Sequence, residues 1–295
     1  MKRILVPLDG SSLAEAAIPS AARIARATGA ELLFFHVIES SPPGEIHGER
    51  HLGSADEARA YLEGKASLVA SGLPVTIHLH EERSQDAARS IGEHVEELRS
   101  DLVVLATHGP HRFGRFLKGS VAQRALFIGG APVLTLPAAS AADPALWKTL
   151  VVAVDGSGEH DLPLEWLGNL ARQLGLSVEL LLVVDTRLSL SGEKMAVARS
   201  LPGATSWALE AAALAGETWL KEVAASAEFA GLEMRIDLLR GSPDKALAAR
   251  TKGKVGDIVV IGTHGRAGLD ALWEGSMAAK ILARLAGPVL LIPAH

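Results

Sequence analysis

Two kinds of apolar pattern alternate along the chain. Unbroken apolar runs occur at Ile4–Leu8, Leu32–Ile38 (interrupted only by His36), Leu102–Ala106 and Val133–Leu136. Between them lie stretches with helical spacing: Ser11–Thr28, which stops at Gly29, then Ala55–Ser71, Ser84–Arg99 and Ser120–Ile128. Pro74–His80 alternates apolar and polar residues. Continuous apolar strands separated by helices predict a parallel sheet covered on both faces.

The pattern then repeats. Val6-Pro7-Leu8-Asp9-Gly10-Ser11 returns as Val152-Ala153-Val154-Asp155-Gly156-Ser157. Asp101–Gly109, which ends in Ala106-Thr107-His108-Gly109, returns as Asp257–Gly265, ending in Gly262-Thr263-His264-Gly265. Gly119-Ser120 returns as Gly275-Ser276, and Pro132–Pro137 as Pro288–Pro293. The offset is 146 residues at Asp9/Asp155, 158 at Asp86/Asp244 and 156 at His108/His264. The second copy therefore gains 12 residues around Thr186–Ala215 and loses 2 soon after. The reading is two doubly wound α/β domains of about five strands each, at 1–138 and 149–295, with a linker at 139–148. In such sheets ligands bind outside the carboxyl ends of the strands.

Composition narrows the classes. Of 295 residues 48% are apolar and the net charge is −5, which excludes a disordered chain. Residues 1–146 carry 14 Lys+Arg against 17 Asp+Glu and the remainder 15 against 17, so neither half has a basic nucleic-acid footprint. The absence of cysteine removes disulfides and thiolate metal sites and fits a cytoplasmic location. Met1-Lys2-Arg3 leads straight into the first strand, and Asp9 interrupts any signal-peptide pattern. The uncharged stretch Ala125–Ala142 contains Gly129-Gly130, Pro132 and Pro137 and reads as helix turn plus strand, not as a membrane span.

The strongest chemical signal is Gly262-Thr263-His264-Gly265, nine residues, then Gly275-Ser276, between a strand and a helix. Glycines let backbone approach a ligand, and a helix start offers free N–H groups to an anion. The same residues also serve as plain turns, with Ser276 as a helix cap. Asp9 and Asp155 follow the first strand of each copy, where a carboxylate either meets a nucleotide or hydrated metal or caps the next helix.

Together, Val-x-x-Asp-Gly-Ser, Gly-x-x-Gly-x9-Gly-Ser and Pro-Val-Leu-x-x-Pro resemble the universal stress protein family, over both copies almost end to end. The resemblance implies two Rossmann-like domains, each a five-stranded parallel sheet of order 3-2-1-4-5, related by a pseudo-two-fold. It implies a stress-response regulator binding ATP (or ADP or AMP), with any Mg2+ held mainly by the phosphates and no metal held by protein alone. In the second domain the implied contacts are Ala153, Asp155, Val183 (backbone groups toward adenine), Gly262, Thr263, His264, Gly265, Arg266, Gly275, Ser276 and Met277. In the first they are Pro7, Asp9, Val37, Ala106, Thr107, His108, Gly109, Gly119, Ser120 and Val121.

The first copy departs from the pattern: Ala106 replaces the first glycine and Pro110 stands where Arg266 stands. Its His111, Arg112, Arg115 and Lys118 retain basic character, so both sites are expected to bind, the second more securely. His108 and His264 are read as turn-fixing residues, while His47, His51, His78 and His80 are read as solvated surface side chains. There is no Walker A sequence and no GxSxG elbow, so no catalytic residue is assigned; a binder is expected, with at most weak ATP hydrolysis. The competing reading is a nucleotide-independent scaffold with an unknown protein partner. In the family the last strand pairs across a two-fold, which a tandem chain satisfies within itself or in a homodimer. The insertion, with Leu188, Leu190, Met195, Leu201 and Trp207, is expected to pack on the second copy.

Overall fold

The computed structural model describes residues 1–40, 45–46, 49–50, 52–107, 121–137, 143–154, 162–190, 192–263 and 277–293. The first half runs β1 (Arg3–Pro7), α1 (Ser12–Glu15), α2 (Ile18–Thr28), β2 (Glu31–Glu39), a small hairpin β3 (Glu45–Ile46) and β4 (Glu49–Arg50), α3 (Ala55–Val69), β5 (Val75–Ser84), α4 (Ala87–Glu97), β6 (Leu102–Thr107), α5 (Val121–Phe127) and β7 (Val133–Pro137). The second runs β8 (Thr149–Val154), α6 (Leu164–Leu174), β9 (Ser177–Val184), α7 (Gly192–Ser200), α8 (Pro202–Ala224), β10 (Met234–Arg240), α9 (Pro243–Thr251), β11 (Asp257–Thr263), α10 (Met277–Leu282) and β12 (Val289–Pro293).

The helical stretch 11–28 is two helices. Ser11 caps α1, its Oγ accepting from the Ala14 amide at 3.2 Å. Pro19 then sits in the first turn of α2, where its missing N–H costs nothing. Gly29 closes α2 in the left-handed conformation at φ 71°.

In each half the strands lie in the order 3-2-1-4-5: β5-β2-β1-β6-β7 and β10-β9-β8-β11-β12. All pairings of these five strands within a half are parallel, the separate β3–β4 hairpin being antiparallel. The two fifth strands, β7 and β12, then pair antiparallel and join everything into one ten-stranded sheet. Because that one pairing is antiparallel, the carboxyl ends of the two strand sets face opposite edges of the sheet. Apolar layers cover both faces, and each layer is continuous across the halves: Val6, Phe34, Leu134, Leu150, Leu180 and Leu290 share one face, Leu5, Val103, Val133, Val151 and Leu291 the other.

At the seam Leu134 lies opposite Leu290, and the Thr135 hydroxyl donates to the Val289 carbonyl at 3.2 Å. A second tie comes from Arg23 on α2. Its guanidinium donates to the Pro144 carbonyl and, at 3.1 Å, to the Leu174 carbonyl of the other half, and lies 5.2 Å from the Trp147 ring centroid. The described part of the linker, from Asp143, is therefore ordered by contacts, with Trp147 buried.

Strand pairing refines the spacing between copies. Leu32 pairs with Val75, and its counterpart Val178 with Met234, so the second half carries 13 more residues there, one more than the sequence register suggests. These extra residues form α7 and lengthen α8. Gly216 lets α8 lie against β9, since a Cβ there would fall 2.3 Å from Leu182 Cδ2. The insertion packs only in part. Leu190, Ala198, Ala213 and Leu220 are buried, whereas Leu188, Leu201, Trp207 and Leu214 are exposed, Leu201 at the wall of a cavity of about 730 Å³ between the insertion and β9.

Leu134→Ala and Leu290→Ala should each lower unfolding stability by about 2–5 kcal/mol. The double variant should lose less than the sum of the two, because the side chains share one contact. Urea unfolding checks both the single costs and the coupling.

Candidate functional site

The carboxyl ends of β1, β2 and β6 form a cleft of about 230 Å³. Register explains how. Pro7 pairs with Phe35, so the chain leaving β1 at Leu8 and Asp9 runs beside Val37 on β2. The Leu8 amide donates to the Phe35 carbonyl at 2.8 Å. His36, buried among apolar residues, places Nδ1 2.6 Å from the Leu8 carbonyl, so that nitrogen donates. The histidine that merely interrupts an apolar run in the sequence thus fixes the turn that aims Asp9.

Asp9 Oδ1 accepts from the Ser11 amide at 2.9 Å and the Ser11 hydroxyl at 2.6 Å, while Ser11 itself caps α1. Asp9 is therefore not the cap; it orders the turn that presents the cap. Gly10 has φ 93°, and a Cβ there would lie 2.9 Å from Leu52 Cγ, so both conformation and space call for glycine.

Of the residues singled out in the first copy, Pro7, Asp9, Val37, Ala106 and Val121 line one cleft, drawn from four separate segments. Thr107 ends β6, and its buried Oγ1 has no hydrogen-bond partner among the described residues. The matching Thr263 differs: its hydroxyl donates to the Ile292 carbonyl at 3.1 Å. His108, Gly109, Gly119 and Ser120 lie outside the described residues, as do Asp155, His264, Gly265, Arg266, Gly275 and Ser276. Ala153, Val183 and Gly262 occupy the corresponding strand ends of the second half, and Met277 begins α10. Several lining residues were not anticipated: Ala14, Phe35, Glu39, Ala87 and Ile91. Glu39 had a signal, since the 146-residue offset puts another acid, Asp185, in its place.

The contrast between Ala106 and Gly262 has a packing explanation. A Cβ on Gly262 would meet Leu162 Cδ2 at 3.3 Å. Offset by 146, Leu162 corresponds to Ala16. The second half thus sets a glycine beside Leu162, while the first carries alanine at both corresponding positions, 106 and 16. Space at Gly262 is taken up by Leu162, so the glycine does not by itself signal a ligand.

The reading of His78 and His80 as solvated is corrected. His78 stacks on Phe35 at 5.5 Å between centroids, and His94 of α4 lies 5.0 Å from Phe35, 5.3 Å from His78 and 4.8 Å from His80. Burial, then the neighbouring His94, lowers the His78 pKa below the ordinary imidazole value, with Glu97 pulling the other way and His80 adding to the lowering. His47 and His51 lie outside the described residues. Among the described residues no group of three or more His, Asp or Glu is arranged to hold a metal ion. No helix among them is long and apolar enough to cross a membrane.

Fold and cleft together define a tandem, doubly wound α/β protein with a cleft at the strand ends of its first half. The model of the universal stress protein family matches residues 1–137 and again 146–293. The chain belongs to that family. A universal stress protein of Methanocaldococcus jannaschii is 30% identical over 149 residues, covering 50% of this chain and 82% of that protein. One from Mycolicibacterium smegmatis is 24% identical over 98% of this chain and 96% of its own length. Among solved structures, a putative universal stress protein from Pseudomonas aeruginosa superposes with a TM-score of 0.64 at 18% identity, covering 100% of this chain and 94% of that one.

Gly262→Ala should cost about 1 kcal/mol alone, the low end of small-to-large changes, because a flexible leucine tip yields. In a Leu162→Ala background the same change should cost close to nothing. Urea midpoints of the four proteins of this cycle give the answer.

Proposed function

We propose that each half binds an adenine nucleotide at its strand-end cleft, and that the protein acts as a cytoplasmic stress-response regulator, not as a metabolic catalyst. The observation that carries the reading is the convergence of Pro7, Asp9, Val37, Ala106 and Val121 on one cleft at the switch point of the sheet. The described cleft is smaller than the roughly 300–1,000 Å³ typical of whole ligand pockets. It ends at Ala106 and Val121, on either side of the glycine-bounded segment 108–120. Its size and lining suit the nucleoside end of the ligand, leaving the phosphates to that segment.

In this reading the Asp9 carboxylate, already oriented by Ser11, accepts from ribose or base donors. The backbone at Val37 faces the base, and the buried Thr107 hydroxyl gains a partner. Phe35 and Ile91 supply apolar wall. Triphosphate brings its own charge and holds Mg2+ largely by itself, with Asp9 and Glu39 offering outer oxygen ligands. Neither half carries a Walker A sequence or a GxSxG elbow, so the reading is of a site that holds a nucleotide and does not consume it. The corresponding contacts in the second half are Ala153, Asp155, Val183, Gly262, Thr263 and the segment 264–277.

One observation favours a second reading, in which an unknown protein partner is bound without nucleotide: Leu188, Leu201, Trp207 and Leu214 are exposed on the insertion. Small-molecule mass spectrometry of denatured, freshly purified protein separates the two, because only the first predicts a released adenine nucleotide.

Calorimetric titration with ATP should give two sites per chain. Asp9→Ala and Asp155→Ala should each weaken one of them by about tenfold or more, the effect of removing a charged hydrogen-bond acceptor. Full affinity at both sites in the double variant would refute the assignment of the two acids.

A further inference from the structure

The first-half cleft shares a wall with the imidazole cluster. Phe35 lines the cleft, stacks on His78 and meets the His94 ring at a tilt. Ala87, Ile91 and His94 lie on one face of α4 at positions i, i+4 and i+7; the first two line the cleft and the third joins the cluster. His78 and His80 pair in register with Phe35 and Val37, the strand residues that bound the cleft. The cluster is thus the packing that holds α4 and β5 against the ligand wall.

The second half carries fixed charges on the matching helix, tying it to β9 and β11. Strand pairing puts Asp237, opposite Leu181, where His78 stands opposite Phe35, and Leu239 where His80 stands. By helix position Arg250, the eighth residue of α9, matches His94, the eighth of α4; the sequence register of Asp86 with Asp244 is corrected here, since Asp86 caps α4 from outside whereas Asp244 lies inside α9 behind the capping position of Ser242. Arg250 makes a two-pronged pair with buried Glu179, Nε to Oε1 at 2.8 Å and Nη2 to Oε2, and reaches Asp257 at 3.3 Å. A guanidinium stays charged across the physiological range, whereas an imidazole does not.

We infer that the histidine cluster makes nucleotide binding in the first half acid-sensitive, while the arginine clamp leaves the second half indifferent to the same change. The inference rests on the nucleotide reading of the cleft. A proton added to His78 places a positive charge against Phe35 and the His94 ring, in a site partly removed from water. That charge loosens the packing of β5 and α4 on Phe35.

Other charges around the cluster do not cancel this. Glu97 sits 3.8 Å from His94 Nε2 and is exposed. Arg89 and Glu93 on α4 pair with each other at 2.9 Å. Asp86, at the helix start, lies 3.7 Å from Arg124 of α5. Glu82 on β5 and Glu96 on α4 are exposed to water, and Glu39 of β2 lies on the cleft side. The sign follows from linkage. The folded His78 binds its proton less readily than the unfolded one, so its contribution is complete above about pH 6.5 and is lost as pH falls below it toward the folded value.

Hydrogen–deuterium exchange of the full chain, corrected for intrinsic rate and titrated with ATP at pH 7.5 and pH 5.5, reads each half separately. The first-half affinity should fall at least fivefold at the lower pH and the second-half affinity by less than twofold, which also controls for protonation of ATP itself. In His78→Leu/His94→Gln the first-half loss should shrink to under twofold. Should that variant not fold, His78→Phe, which keeps the stack on Phe35, should give at least half of the same relief.

Equal acid losses in both halves, or a loss untouched by these substitutions, would overturn the inference. If ATP protects neither half at any pH, the nucleotide reading fails. The cluster is then judged without ligand: peptides spanning 75–97 should open at pH 5.5 in the parent but not in the variant, while 234–251 stays closed. Unchanged protection of 75–97 would refute it.

Discussion

An open parallel sheet leaves unpaired N–H and C=O groups along its last strand, and the structure turns on how β7 and β12 dispose of theirs. They pair with each other, antiparallel, so two exposed edges become the middle of one ten-stranded sheet. The pseudo-two-fold follows from that pairing, as does the continuity of both apolar layers. It also sends the strand-end clefts to opposite edges of the sheet. The two candidate sites are therefore separate places built to one plan, free to diverge without disturbing one another.

Much of this was legible in the residues. Unbroken apolar runs such as Leu102–Ala106 and Val133–Leu136 mark buried parallel strands because both faces are covered. The fixed offsets between copies reveal duplication, and the early Asp with the later Thr locates the strand ends. Boundaries were harder: the split between α1 and α2 depends on Pro19 and on the Ser11 cap, and β5 runs on to Ser84 past its alternating part. The cleft lining was only half readable. Pro7, Val37 and Ala106 sit at strand ends that topology brings together, whereas Ala87 and Ile91 reach the cleft only through the packing of α4 on β2, which no local pattern encodes.

Where the reading failed, partners distant in sequence decided the outcome. His78 and His80 look like polar positions on an edge strand, yet His94 and Phe35 draw them into a ring cluster. His36 looks like a break in a strand and proves to be the hydrogen-bond donor that sets the Asp9 turn. In each case residue type was informative, and its role was set by a neighbour tens of residues away.

The central claim is that ligand chemistry sits at the carboxyl ends of the second strand in both halves. Photolabelling with an azido-adenine nucleotide, followed by peptide mapping, tests it directly. The account predicts label on the peptides that carry Val37–Glu39 and Val183–Asp185, lost on adding excess ATP. Label confined to other peptides, or insensitive to ATP, would contradict it.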